Sequence, residues 1–324
     1  MQNFSVSSLQ PTPVYDAFWH FAAERQAIFE RRKENPLGPW TEDPILRQHK
    51  FTNVYRASDR TSQYLIKNVI YGNEISPATD DAVFRILLFK LFNRIDTWTL
   101  LERTFGQICI RDFSPERFGM CLDGAMESGM SIYSGAYIMP SGSKTYRSTR
   151  KHRTHLAILR DMLLDDLPKR AADAKNLKEL FLLLRGFPLI GDFLAYQYAI
   201  DINYSEVTDF SESEFVVPGP GSRSGIRKCF TELRGLSESE IISIVTNVQD
   251  REFSKRGLKF AYIGNRPLQQ IDIQNIFCEV DKYARVQFPE ITGRHNRSKI
   301  KQRFHPNSAP INYWYPPKWK INSY

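Results

Sequence analysis

The chain has 324 residues, of which 42% are hydrophobic and 25% charged, with a formal charge of +8. That is enough chain to bury a core without disulfides or a structural metal, and the composition is that of a folded globule rather than a disordered or fibrous chain. No leader pattern opens MQNFSVSSLQ, and no run of 18 apolar residues appears. The expectation is therefore a cytoplasmic protein with no membrane partner.

A helix is predicted from Pro13, where Phe18, Phe21, Ala22, Ile28 and Phe29 recur at helical spacing. Pro36 and the Gly38-Pro39 pair stop it. A polar link over 40–53 leads to a second helix from about Arg60, with Tyr64, Ile66, Val69 and Ile70 apolar. Asp80 to Phe92 opens on acids and is then apolar on most sides, the pattern of a buried helix. Asn93 and Arg94 interrupt it, either as a helix end with a cation on its dipole or as readers of a base edge or a phosphate. Thr97 to Phe105 and Pro115 to Glu127 read as further helices. Ser131 to Ser143 mixes aromatic, β-branched and Gly residues and predicts a small hairpin or an irregular loop.

Residues 144–160 carry Lys144, Arg147, Arg150, Lys151, Arg153 and Arg160, with two His before an acid appears. A second basic stretch holds Arg294, Arg297, Lys299, Lys301 and Arg303. Such blocks suit a nucleic-acid surface better than total charge does, the plainer reading being two solvated loops. The four cysteines, Cys109, Cys121, Cys229 and Cys278, form no CxxC pair and no zinc spacing. Free thiols in a reducing compartment are expected, and no metal site.

His152 to Leu167 predicts a helix ending before Pro168. Leu177 to Asn203 predicts two helices around a tight turn. There Gly186 offers a positive φ, Pro188 restricts the turn, and Gly191 permits close backbone approach. The stretch resembles a helix-hairpin-helix, whose backbone N–H groups hold a DNA phosphate, except that Leu189 stands where Gly is common. An ordinary αα-hairpin is the alternative. Pro218-Gly219-Pro220-Gly221 predicts a rigid exposed loop that, with Arg223, Arg227 and Lys228, would face phosphate oxygens. Asp209, Glu212 and Glu214 lie just upstream, and Glu214, beside the apolar Phe215-Val216-Val217, leads as a general base. Ser237 to Arg256 carries a capping box, Ser237 with Glu240. Pro267 to Val286 is the last long helix, and a Pro-rich, aromatic tail follows from Phe304. With many helices and few clear strands, the fold class is all-α, with or without a small β-hairpin.

Five stretches, RQHKFTNVYRASDRTSQYL (47–65), LLFKLFNRIDTW (87–98), GFPLIGDFLAYQYAIDINYS (186–205), FVVPGPGSRSGIRKCF (215–230) and FCEVDKYAR (277–285), together resemble one family. It is the α-glutamyl/putrescinyl thymine pyrophosphorylase group, which overlaps the helical domain of 5-hydroxymethyluracil DNA kinases and serves thymine hypermodification in bacteriophage. The resemblance implies a DNA-glycosylase-like helix-hairpin-helix fold over 1–324, a single domain of two subdomains with its hairpin at 177–203 and a basic tail at 294–324. It implies double-stranded DNA as substrate, with 5-hydroxymethyluracil activated as its phosphate or pyrophosphate ester and flipped out of the stack. A free amino acid or a polyamine such as putrescine would displace the ester. A 5-hydroxymethyluracil DNA kinase would be a partner, and Mg²⁺ the ion that accompanies a pyrophosphate.

In that chemistry the catalytic candidates are Glu214, Asp209, Arg227 and Lys228. A carboxylate would take the proton of the attacking ammonium, and cations would receive the leaving group. Arg47, Lys50, Asn53, Arg56, Arg223 and Lys282 are candidates for substrate or DNA contact. Asn93 and Arg94 would read the base, Tyr55 or Tyr64 would stack on it, and the backbone at Gly186, Gly191, Gly219 and Gly221 would hold phosphates. The alternatives are a non-catalytic DNA-binding module and a monofunctional glycosylase. A lyase-type glycosylase is disfavoured, because Asp192 and Phe193 stand where its Lys would follow the hairpin. A phosphate-binding loop needs GxxxxGK[ST], and Gly142-Ser143-Lys144-Thr145 does not meet that spacing.

Overall fold

The computed structural model describes residues 6–72, 78–137, 139–142, 146, 150–293, 297–307 and 312–322. Two compact units divide the chain. The first joins Met1–Asp59 to Glu212–Tyr313, and the second joins Arg60–Ser211 to Trp314–Asn322. The α-helices in chain order are α1 (Pro13–Glu34), α2 (Pro44–Gln48), α3 (Arg60–Tyr64), α4 (Thr79–Phe92), α5 (Ile95–Phe105), α6 (Pro115–Glu127) and α7 (Lys151–Leu164). They continue as α8 (Leu167–Ala172), α9 (Leu177–Arg185), α10 (Asp192–Ile202), α11 (Pro220–Cys229), α12 (Glu238–Asn247), α13 (Gln249–Lys255) and α14 (Gln270–Gln287). Among the described residues no strand forms, only isolated bridges. The hairpin considered for 131–143 is absent from its described part, residues 131–137 and 139–142.

In the first unit α14 is the hub, packed by α1, α2, α11 and α12. Thr12 starts α1 by accepting from the Val14 N–H at 3.1 Å, and Pro13 follows in the first turn, where its missing N–H is no loss. The apolar face of α1 then meets α14 and α13, with Phe18 and Phe277 rings 4.5 Å apart and Trp19 edge-on to Phe253 at 4.8 Å. The expected capping box, Ser237 with Glu240, forms at α12, and a second, Gln269 with Asp272, forms at α14. Burial raises the Asp272 carboxyl to about 7, and its neighbour Glu212 adds to the rise.

In the second unit α4 is buried at every position from Val83 to Phe92, as its all-round apolar pattern requires. It contacts α7, α8, α10 and a π-helical turn, Leu65–Ile70, that continues α3. The helix expected up to Pro168 ends earlier, at Leu164. Pro168 instead lies in the first turn of α8, where proline is tolerated.

The turn between α9 and α10 differs from expectation. Gly186 has φ −67°, an ordinary helical value, and nothing lies within 4 Å of where a Gly191 Cβ would sit. The left-handed residue is Leu189, at φ 65°, the position where the sequence departs from the helix-hairpin-helix pattern. A non-glycine residue pays about 1–2 kcal/mol for that conformation. Glycine normally costs more than alanine, yet at this position the order should invert. Leu189→Gly is expected to be about 1 kcal/mol more stable than Leu189→Ala in urea unfolding. The usual order, alanine above glycine, would show that the turn does not impose a left-handed residue.

A candidate aromatic pocket in the first unit

The first unit holds a pocket of about 190 Å³. Its walls are aromatic: Phe29, Trp40, Phe51, Phe304 and Tyr313, with Arg25, Arg32, Arg47, His49 and Asn53 supplying the polar groups. The end of α1 builds one side. Asn35 O accepts from the Trp40 indole N–H at 2.6 Å, and Arg31 donates to Trp40 O at 2.6 Å, so the chain folds back on the helix that precedes it. Gly38 makes the reversal at φ 72°, and a Cβ there would be 3.3 Å from the Trp40 ring. The Arg32 guanidinium lies 5.7 Å from the centre of that ring and donates to Asn307 O at 2.9 Å.

The opposite side comes from α2 and residues 49–53. Asp43 caps α2 by accepting from the Ile45 and Leu46 N–H groups at 2.7 and 3.0 Å, and it also accepts the Tyr283 hydroxyl at 2.7 Å. Residues 48–50 then run antiparallel to 302–304. Lys50 N–H donates to Gln302 O at 3.0 Å and Phe304 N–H to Gln48 O at 2.9 Å, which places Phe304 in the pocket wall. Arg25 spans the floor, donating to Thr52 O at 3.0 Å and to Asn53 Oδ1 at 2.6 Å. Behind it, Asp59 accepts from the Asn53 N–H at 2.8 Å. Burial pulls the Arg25 guanidinium below its ordinary range, with Asp59 opposing, and burial raises the Asp59 carboxyl to about 6. His49 Nδ1 is buried with no hydrogen-bond partner among the described residues. The whole is a small apolar slot with cations at its floor and rim, below the 300 Å³ of drug-sized sites and suited to one planar ring.

Of the residues expected from sequence, Arg47 and Asn53 line this pocket. Lys50 is exposed beside it, and Lys282 sits over the Phe51 ring at 5.1 Å while ion-paired to Glu279 at 2.5 Å. Tyr55 and Arg56 are instead core residues, each 1% exposed. The Tyr55 hydroxyl donates to Arg266 O at 2.5 Å, so its ring offers no free face to a base. Tyr64 is stacked on Phe89 at 5.9 Å, inside the second unit. Sequence reasoning missed Arg25, Arg32, Trp40, His49 and the tail aromatics. The cue available was the density of Arg and aromatic residues at the end of α1.

The Gly-rich segment is corrected by the structure. Gly219 and Pro218 are buried, and Pro220 starts α11 instead of continuing a loop. Gly221 and Gly225 lie on the face of α11 that meets α14: a Cβ on Gly221 would be 2.4 Å from Cys278 Sγ, and one on Gly225 would be 2.0 Å from Phe277 O. Their smallness serves helix contact. Lys228, expected beside a leaving group, is 3% exposed and lies 3.2 Å from Asp281 Oδ1. Burial alone would raise the Asp281 carboxyl, but Arg285 and Lys228 hold it below the usual range. Arg227 pairs with Glu238 at 3.3 Å and Arg223 donates to Pro218 O at 3.1 Å. Glu214 is exposed in the same unit, and neither it nor these two arginines lines the pocket.

In the second unit Asn93 is a buried left-handed helix end that accepts from Lys90 at 2.9 Å, and Arg94 pairs with Asp96 at 2.8 Å. Asp209 is exposed, 3.8 Å from Lys318. Gly191 caps α10, but Asp192, in its first turn, sets a carboxylate at the N-terminus and pairs with Arg185, which disfavours a phosphate there. Within the described part of the first basic block, Arg150, His152 and Arg153 converge on Asp123 of α6, and Arg160 pairs with Asp161 at 2.9 Å. Burial pulls the His152 imidazole below its usual range, and Asp123 opposes. Lys144, Arg147 and Arg294 lie outside the described residues, as does Ser143-Lys144-Thr145.

Among the described residues no group of three His, Cys, Asp or Glu is arranged to hold a metal ion, and no helix is long and apolar enough to cross a membrane. A family model described as the helical domain of 5-hmdU DNA kinase matches residues 12–293. A 5-hmdU DNA kinase of Bacillus phage SP10 is 28% identical over 286 residues, covering 83% of this chain and 45% of that protein. The chain thus spans less than half the length of that relative. No solved structure matches.

Proposed function

From the premise that this chain belongs to the family of 5-hmdU DNA kinase helical domains, we propose that it acts in phage thymine hypermodification by receiving a 5-hydroxymethyluracil unit of DNA in the aromatic pocket. The observation that carries the reading is the pocket's composition: a ring-sized slot with aromatic walls and Arg25, Arg32 and Arg47 as the cations of its lining. Aromatic walls replace the stacking that a base loses on leaving the duplex. Arg25 donors suit the pyrimidine carbonyls. A phosphate or pyrophosphate ester on the C5 methylene would find Arg32 and Arg47, whose planar donors match its oxygens.

The finer chemistry proposed is displacement of that ester by an amine. The amine nitrogen bonds to the methylene carbon, the C–O bond breaks, and the phosphate or pyrophosphate leaves with the electron pair. The ammonium proton passes to solvent water, and Glu214, exposed in the same unit but outside the pocket lining, is the proposed acceptor through that water. Asp209, Arg227 and Lys228 have the weaker case, for the placements given above. A second reading, a DNA-recognition module working beside a kinase, is favoured by one fact: the SP10 relative named a kinase has more than half its length outside the matched region.

One experiment separates these readings. DNA carrying pyrophosphorylated 5-hydroxymethyluracil is incubated with the chain and a pool of amino acids and polyamines, and nucleosides are read by mass spectrometry. The transferase reading expects new aminated nucleosides, reduced about 100-fold by Arg47→Ala, a loss typical of removing one charged transition-state partner; Glu214→Gln tests the proton acceptor separately. Unchanged nucleosides with retained preference for 5-hydroxymethyluracil DNA would favour the module. No preference over thymine DNA would remove the pocket reading altogether.

A further inference from the structure

Among the described residues, the cations of the second basic stretch are not ion-paired, whereas Arg150, Arg153 and Arg160 of the first are. Arg297, Lys299, Lys301 and Arg303 are exposed, and no ion pair engages them among the described residues. They occupy every second position of a segment that is neither helix nor turn. The 302–304 end is paired antiparallel with 48–50, and in extended chain alternate residues share a face about 6–7 Å apart, which would set Lys301 and Arg303 side by side. The backbone of the segment is held at two places. Arg285 donates to Lys299 O at 3.3 Å, and residues 302–304 are bonded to 48–50 through Gln302 O and Phe304 N. The side chains are thereby left to solvent while the main chain is anchored. The anchored end is the pocket wall itself, because Phe304 and His49 both line it and Arg303 bridges His49.

We infer that residues 297–303, anchored on residues 48–50, form a phosphate rail that grips the DNA backbone next to the base entering the aromatic pocket. The inference rests on the reading of the pocket as a base site but makes a separate claim. The rail contacts phosphates only, so it supplies affinity and salt dependence and no preference among bases. Lys50, exposed on the paired stretch, extends the same positive edge.

The test compares a short duplex containing one 5-hydroxymethyluracil with the same duplex containing thymine. Binding is followed by fluorescence anisotropy across a salt series. Lys299→Gln/Lys301→Gln/Arg303→Gln is expected to lower affinity for both duplexes at least tenfold at low salt. It should also reduce the slope of log affinity against log salt by about two to three, one phosphate contact per lost cation. Its ratio of affinities for the two duplexes should be unchanged. A control triple variant in the second unit, Arg103→Gln/Lys175→Gln/Lys178→Gln, removes the same charge from exposed or partly exposed helix and loop positions and should leave the slope alone. An unchanged slope in the 299–303 variant, or an equal fall in the control, overturns the rail. If wild type shows no preference between the duplexes yet the slope behaves as stated, the pocket reading fails and the rail stands.

Discussion

Gly225→Ala is expected to destabilise the first unit by at least about 3 kcal/mol, against the ordinary rule for a helix interior. Replacing glycine by alanine within a helix usually gains about 0.5–1 kcal/mol, because glycine has more backbone freedom to lose. At Gly225 that gain meets a backbone collision. The new Cβ would sit 2.0 Å from the Phe277 carbonyl oxygen and 2.8 Å from its carbon. Neither atom can rotate away, so α11 must separate from α14, on which the unit is built. Overpacking that side chains can absorb costs about 1–3 kcal/mol, and a clash with main chain belongs at or beyond the upper end. Gly221 provides the contrast within the same contact. Its nearest neighbour is Cys278 Sγ, and Gly221→Ala should be milder and be rescued in part by Cys278→Ala, which Gly225→Ala should not be. Chemical denaturation measures all four variants. A Gly225→Ala protein within 1 kcal/mol of wild type would mean that α11 and α14 do not approach as described.

Lys90→Met is the second large effect, in the second unit. Lys90 is 3% exposed and Asp201 is fully buried. The ammonium lies 3.2 Å from Asp201 Oδ2, 2.9 Å from Asn93 Oδ1 and 4.4 Å from the centre of the Tyr137 ring. Methionine fills the same volume, so packing is nearly conserved and the change is electrostatic. It leaves a carboxylate in the core without its cation, a loss of about 3–5 kcal/mol. Lys90→Met/Asp201→Leu removes both charges and should recover most of that loss, since a buried ion pair is often no more stabilising than an apolar pair of the same size. Urea unfolding of the two singles and the double gives the coupling. If Lys90→Met alone is tolerated within 1 kcal/mol, the ion pair does not hold α4 to α10. The pair also explains why Asn93 and Lys90, in a stretch that reads as apolar helix followed by a polar break, serve the core and not a base.

The sequence by itself determined the helices. Their periodicity is local, so Phe18 to Phe29 on α1, the all-round apolar α4 and the Ser237–Glu240 cap could be read in place from residues three and four apart. It also carried the family resemblance, and it singled out the 47–53 stretch from which Arg47 and Asn53 reach the pocket. What the tertiary structure decided was the meaning of residues whose partners are far along the chain. Gly221 and Gly225 look like a phosphate loop until α14, some fifty residues on, shows what they touch. Lys228, Arg150 and Arg153 look free until Asp281 and Asp123 arrive beside them. The pocket itself joins the end of α1 to a tail more than 250 residues later, through Phe304 and Tyr313. Periodicity records which face of an element is buried, whereas the pairing of charges and the closing of a cavity depend on which elements meet, and no spacing within one element encodes that.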